Sequence, residues 1–155
     1  MPDRSPQGAV DVARIVRLRA DSGPGSLTVV RRRVRRVLAE TPLPPEAIED
    51  LELAVGELLS NVCRHAYPSS VGPVFVEVSR TERRVTVLVI DRGAARAIPA
   101  IPAEPPQDVR PGGRGLYLVS RVADEMVFAV NPIGHGLIAR VSKWVPLRGQ
   151  LRRSA

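Results

Sequence analysis

The chain has 155 residues, 44% of them apolar, with 12 glycines, 15 prolines and a formal net charge of +7; this length suits one domain around one core. No run reaches the roughly 18 apolar residues of a membrane helix, and the N-terminus has no signal-peptide pattern. The lone cysteine, Cys63, excludes an internal disulfide framework and, with two scattered histidines, argues against structural zinc, so a cytoplasmic protein is expected.

Aromatic residues make up only 3% of the chain, so the core is expected to be Val, Leu, Ala and Ile. Residues 1–11 read as a flexible arm. Val12 to Ala20 alternates like a strand, and Asp21-Ser22-Gly23-Pro24-Gly25 stops it. Ser26 to Glu40 has a helical apolar stripe of Leu27, Val30, Val34 and Leu38. Its other side carries Arg31, Arg32, Arg33, Arg35 and Arg36. These read as a solvated face, with docking of an acidic partner as the sharper alternative. Without an aromatic platform, the charge does not point to nucleic acid.

Thr41 to Pro45 is a stiff connector, and Glu46, Glu49 and Asp50 crowd the start of the next helix, where its dipole favours acids. That helix runs to about Ala66 and stops before Pro68, burying Ile48, Leu51, Val55, Leu58 and Val62. Cys63 sits beside this face and reads as a packed thiol. Strands near 73–80 and 84–91 form a hairpin through Thr81-Glu82-Arg83. The stretch from Ala94 to Pro111 holds five prolines and no periodicity; a loop that long is usually functional or disordered. A glycine-rich loop then enters a helix ending near Ala123, with Leu116 and Val119 on its apolar side. Strands near 125–131 and 136–145 follow, joined by a turn at Asn131-Pro132-Ile133-Gly134. Trp144 closes the last strand and reads as packing, and residues 148–155 form a basic tail. The sum is an α/β (α+β) two-layer sandwich: a mostly antiparallel sheet covered on one face by about three helices.

Three segments carry chemistry. In Glu57-Leu58-Leu59-Ser60-Asn61-Val62-Cys63-Arg64-His65, a carboxylate, an amide and an imidazole recur every four residues. On a helix that spacing drifts by only about 40° per step, so the three share a stripe. A row of acceptors beside a core face suits a hydrated magnesium ion and a phosphate, since magnesium prefers oxygen and keeps several waters. Val85 to Ile90 is a β-branched apolar run ending in Asp91-Arg92-Gly93. This puts an acid at the end of a buried strand, where it can accept from an exocyclic amine, and Gly93 allows a close approach. Pro111-Gly112-Gly113-Arg114-Gly115-Leu116 presents free N–H groups at a helix start, the makings of an anion site.

In this order and spacing the three segments resemble the GHKL (Bergerat-fold) ATPase domains, and among them the bacterial anti-sigma-factor serine/threonine kinases, over roughly residues 12–147. The resemblance implies Mg2+ and ATP, with Glu57 as general base and Asn61 as magnesium ligand. Asp91 would meet the adenine amine with Gly93 beside the base. Gly113 and Gly115, leading into Leu116, would hold the phosphates, with Arg114 or Arg110 near them. The loop from about 94 to 111 becomes a nucleotide lid. His65 is a candidate for contacting phosphate or orienting Glu57, and equally for capping the helix; Arg64 is a candidate phosphate contact. The implied activity is phosphorylation of a serine on an anti-sigma-factor antagonist by a homodimer that also sequesters a sigma factor.

Two positions depart from the family pattern. Ala94-Ala95 stands where the first glycine box continues to a second glycine, and Gly136-Leu137 stands where Gly-Thr is common. They keep open an alternative: a non-catalytic protein-binding regulator that retains the fold but binds nucleotide weakly or not at all.

Overall fold

The computed structural model describes residues 12–105 and 114–147. The expected N-terminal arm, the basic tail, residues 106–111 of the expected lid (Arg110 among them) and Gly113 lie outside them. The described elements are β1 (Ala13–Asp21), α1 (Pro24–Ala39), α2 (Pro45–Asn61), a π turn (Val62–Ala66), β2 (Pro73–Arg80), β3 (Arg84–Asp91), α3 (Gly115–Val122), β4 (Glu125–Val130) and β5 (Leu137–Trp144).

The five strands make one antiparallel sheet in the order β1-β2-β3-β5-β4. Period-two alternation decides its faces. Val76 pairs with Leu18 and Val89, and Val89 with Ala139, so these side chains share the face toward the helices. Val74, Val76, Val78, Val85, Val87 and Val141 are fully buried there against Val34, Leu38, Leu51, Val55 and Leu59 of α1 and α2. Branched aliphatic side chains thus do the filling that aromatics do elsewhere, as the composition predicts.

Both long helices begin with a proline in the first turn, and Asp21 secures the approach to α1 by accepting from the Gly23 N–H (2.8 Å) and the Ser26 hydroxyl (2.7 Å). The arginines of α1 are exposed; Arg31 reaches the Gly56 carbonyl (2.7 Å) and Arg35 pairs with Glu52 (3.4 Å). Trp144 is not core packing: it is half exposed, with the Arg84 guanidinium 5.6 Å above its ring. Cys63 is partly buried against the core, as expected. Among the described residues no helix is long and apolar enough to cross a membrane.

Candidate functional site

One cavity of about 380 Å3 opens between the sheet, α2, α3 and the segment after β3, toward the small end of ligand sites. Asn61, His65 and Asp91 are its polar lining. Leu58, Val62, Val89, Leu116, Phe128, Leu137 and Ala139 form apolar walls, and Ala95, Ala97, Pro99, Ala100 and Pro102 close it on the side of the expected lid. An apolar cavity with few polar groups suits an aromatic base better than a sugar or a peptide.

Asp91 ends β3 and is only 5% exposed. Its Oδ1 accepts from the Gly93 N–H (2.8 Å) and the Leu137 N–H (3.3 Å), which leaves Oδ2 as the acceptor available to the cavity. Burial raises its pKa above the ordinary carboxylate value, and those two N–H groups offset part of the rise. Asn131 holds the same corner: its Nδ2 donates to the Asp91 carbonyl (3.3 Å), and its Oδ1 accepts from Ile133 (3.1 Å). Gly136, at φ +100°, passes so close to the Asp91 carbonyl that a Cβ would collide with it.

The chain that follows α2 sets the rest. Asn61 is the last α-helical residue, and Val62–Ala66 form a π turn. A π turn rotates each residue by roughly 20° less than an α turn. Over the four residues after Asn61 this turns a lead of about 40° into a lag of about 40°, which returns His65 to the azimuth of Glu57. Asn61 and His65, about 40° apart on the helix, face the same cavity. Arg64 does not: it folds back on Ser60, its Nε donating to the carbonyl (3.2 Å) and a terminal nitrogen to Oγ (2.9 Å). It is not assembled with the other candidates.

Glu57 stands one turn before Asn61, against the start of α3. A Cβ on Gly115 would lie 2.5 Å from its Oε2, so only glycine lets the helix start approach the carboxylate this closely. Arg114 is the exposed N-cap of α3, and Leu116 is a wall of the cavity. Gly93 also makes a contact that the sequence did not indicate: a Cβ there would strike the Ala66 carbonyl, which accepts from the Ala94 N–H (2.8 Å). Its close approach is to the end of the π turn.

A family model described as a histidine kinase-like ATPase domain matches residues 20–141. The chain belongs to that family. Among curated relatives, it is 25% identical over 139 residues to the serine-protein kinase RsbW of Oceanobacillus iheyensis, covering 84% of this chain and 86% of the relative. It is 27% identical over 123 residues to the protein of the same name from Bacillus licheniformis, covering 74% and 77%. Among solved structures, the RsbU and RsbW domains of a Mycobacterium tuberculosis protein superpose with a TM-score of 0.61 at 22% identity, over 82% of this chain. The matched part is 30% of that longer chain, and the likeness shows the shared fold.

Family membership bears on the two departures. Leu137 brings no hydroxyl, yet its backbone N–H reaches Asp91, and its side chain becomes cavity wall. Ala95 puts its Cβ on the wall while its carbonyl accepts from the Gly136 N–H (2.9 Å). The oxygen donors present, Asn61 in the cavity and Glu57 beside it, are of the type a magnesium–nucleotide needs, and the apolar slot around Asp91 has the chemistry for a base bearing an amine. The sequence offered no signal for the Leu137 N–H, since every residue but proline carries one. Nor did the sequence give any signal for the contacts of Tyr67, which are made to backbone groups of other segments.

Proposed function

We propose that the chain is a cytoplasmic Mg-ATP-dependent serine/threonine kinase that phosphorylates an anti-sigma-factor antagonist and otherwise sequesters a sigma factor. The observation that carries this reading is the shared cavity of Asn61 and Asp91, with Glu57 one helical turn beyond at Gly115. Relatives named serine-protein kinase support the same class.

In this reading the apolar walls hold the adenine ring and exclude water, and Asp91 Oδ2 accepts from its amine. Asn61 would hold the metal, and Gly115 and Leu116 at the start of α3, with Arg114 and, by the family resemblance, Gly113, would hold the phosphates. Bound magnesium neutralises charge on the transferring phosphoryl group. Glu57 accepts the proton of the substrate's seryl hydroxyl as the seryl oxygen forms its bond to the γ-phosphorus. The bond from that phosphorus to the β,γ-bridging oxygen breaks, and ADP leaves.

The alternative of a non-catalytic regulator draws on the departures at Ala94-Ala95 and Leu137, the last two of these three residues lining the cavity without a polar side chain. Phosphoryl transfer from radiolabelled ATP to an added antagonist protein separates the two. Glu57→Ala is expected to abolish transfer and leave antagonist binding intact. Partner binding without any transfer by the unaltered chain would establish the non-catalytic reading instead.

A further inference from the structure

Tyr67 follows the π turn and lies outside the cavity lining, yet it ties the start of β2 to the turn just after Asp91. Its hydroxyl donates to the Pro73 carbonyl at the start of β2 (2.6 Å) and accepts from the Arg92 N–H just after Asp91 (2.8 Å). Burial pushes the phenol above its ordinary pKa, so it keeps the proton it donates. The ring packs on Gly72 so tightly that any Cβ there would overlap it. Gly72 is itself pinned, its carbonyl accepting from the Ser22 N–H (2.9 Å) and its N–H donating to Ser22 Oγ (3.2 Å). One residue earlier, the Ala66 carbonyl accepts from Ala94 and abuts Gly93.

The two halves of the proposed nucleotide site sit on different elements: Asn61 on α2, Asp91 on the end of β3. Local bonds hold each half, because Asp91 keeps its Gly93 and Leu137 donors whatever happens to Tyr67. Their separation is another matter. It is set where the end of the π turn meets the 91–94 turn: the Ala94 N–H bonds the Ala66 carbonyl there, and the Tyr67 hydroxyl adds a second tie, to Arg92 and to Pro73 at the end of the β2–β3 ladder.

We propose that Tyr67 is a positioning residue that sets the spacing between the adenine half-site at Asp91 and the metal–phosphate half-site at Asn61. This rests on the nucleotide reading above and deepens it. A ligand spanning both halves benefits from correct spacing, whereas a ligand that fills one half does not. Adenosine occupies only the first half and ATP occupies both, so the ratio of their affinities reports the spacing. A residue that merely stabilised the fold would leave that ratio unchanged.

The test is calorimetric titration of the full chain with Mg-ATP and with adenosine, for the unaltered protein and Tyr67→Phe, below the Tm of both. Phenylalanine keeps the ring on Gly72 and removes both hydrogen bonds. The expected result is an affinity for Mg-ATP about tenfold lower, with adenosine changed less than about twofold. Gly72→Ala, which forces the ring outward and keeps the hydroxyl, should lower the ATP-to-adenosine ratio in the same direction. Equal ATP affinity in the unaltered protein and Tyr67→Phe would overturn the positioning role and leave the nucleotide site standing. A parallel fall for both ligands would overturn it as well, by making Tyr67 a support of the adenine pocket alone. Failure of the unaltered chain to bind either ligand would overturn the nucleotide reading and this proposal together.

Discussion

The Leu137 backbone N–H donates to Oδ1 of Asp91 at 3.3 Å, while the Leu137 side chain lines the cavity that Asp91 faces. A position that lacks a side-chain hydroxyl therefore still orients the carboxylate, through its main chain. What it withholds is a second polar group in the wall. Leu137→Thr is expected to keep the backbone bond, add a hydroxyl beside Asp91, and tighten adenine nucleotide binding by about three- to tenfold. Calorimetry decides it, and weaker binding in the variant would mean that the apolar wall matters more than the hydroxyl.

Asp91 is nearly buried, with its pKa raised by burial. For an acid with a raised folded-state pKa, the stabilising contribution is present at low pH and lost as pH rises through that value. At neutral pH the ionised carboxylate therefore costs stability. Asp91→Asn keeps an oxygen for the Gly93 and Leu137 donors and removes the charge, so its Tm should exceed that of the unaltered protein at pH 7. The difference should shrink toward about pH 4. The same change presents an amide donor toward an amine donor, and adenine nucleotide affinity should fall about 100-fold. A lower Tm at pH 7 would contradict the linkage.

Gly115 yields a cleaner separation of stability from chemistry. Its missing Cβ leaves room for the Glu57 Oε2, and that oxygen is the far end of a flexible side chain. In Gly115→Ala the carboxylate moves aside at little cost, and alanine gains roughly 0.5–1 kcal/mol of helix preference over glycine. Tm should be unchanged or higher, whereas phosphoryl transfer should drop by about 10- to 100-fold because the base is displaced. A rate equal to that of the unaltered protein would argue against Glu57 as the base.

Far from the cavity, Lys143 is 13% exposed and donates to Asp50 (2.8 Å) and to the Val122 carbonyl at the end of α3 (2.9 Å), with Asp124 at 3.3 Å. Burial alone lowers its pKa, but the bonds and charges of Asp50 and Asp124 outweigh that and raise it. The stabilisation is therefore complete below the ordinary lysine pKa and lost as pH rises through the raised value. Lys143→Met should cost about 1–3 kcal/mol in denaturant unfolding at pH 7, discounted because both acids are partly solvated. The gap should close as pH rises through the raised lysine pKa. Nucleotide binding should persist in the variant.

Much of the architecture was legible because local signals agreed with the fold. The stripe of Leu27, Val30, Val34 and Leu38 is buried as read, and the strands at 73–80 and 84–91 form the expected hairpin. Where signals were silent or ambiguous, tertiary contacts decided. Nothing in Val62 to Ala66 distinguishes a π turn from an α turn, since both suit those residues. Trp144 reads as packing on hydrophobicity alone, but its strand position leaves it half exposed under Arg84.

By itself the sequence determined the order of strands and helices, the buried aliphatic faces, and the membership of Glu57, Asn61 and Asp91 in one recognisable pattern. Those properties depend on periodicity and residue type, which operate over a few turns of chain. Only the tertiary structure decided that Arg64 turns away, that Gly93 serves the Ala66 carbonyl, and that a leucine amide and a tyrosine hydroxyl hold the Asp91 corner. Each of those depends on backbone groups brought together from separate elements, and a backbone N–H or carbonyl looks the same at almost every position until the chain has folded around it.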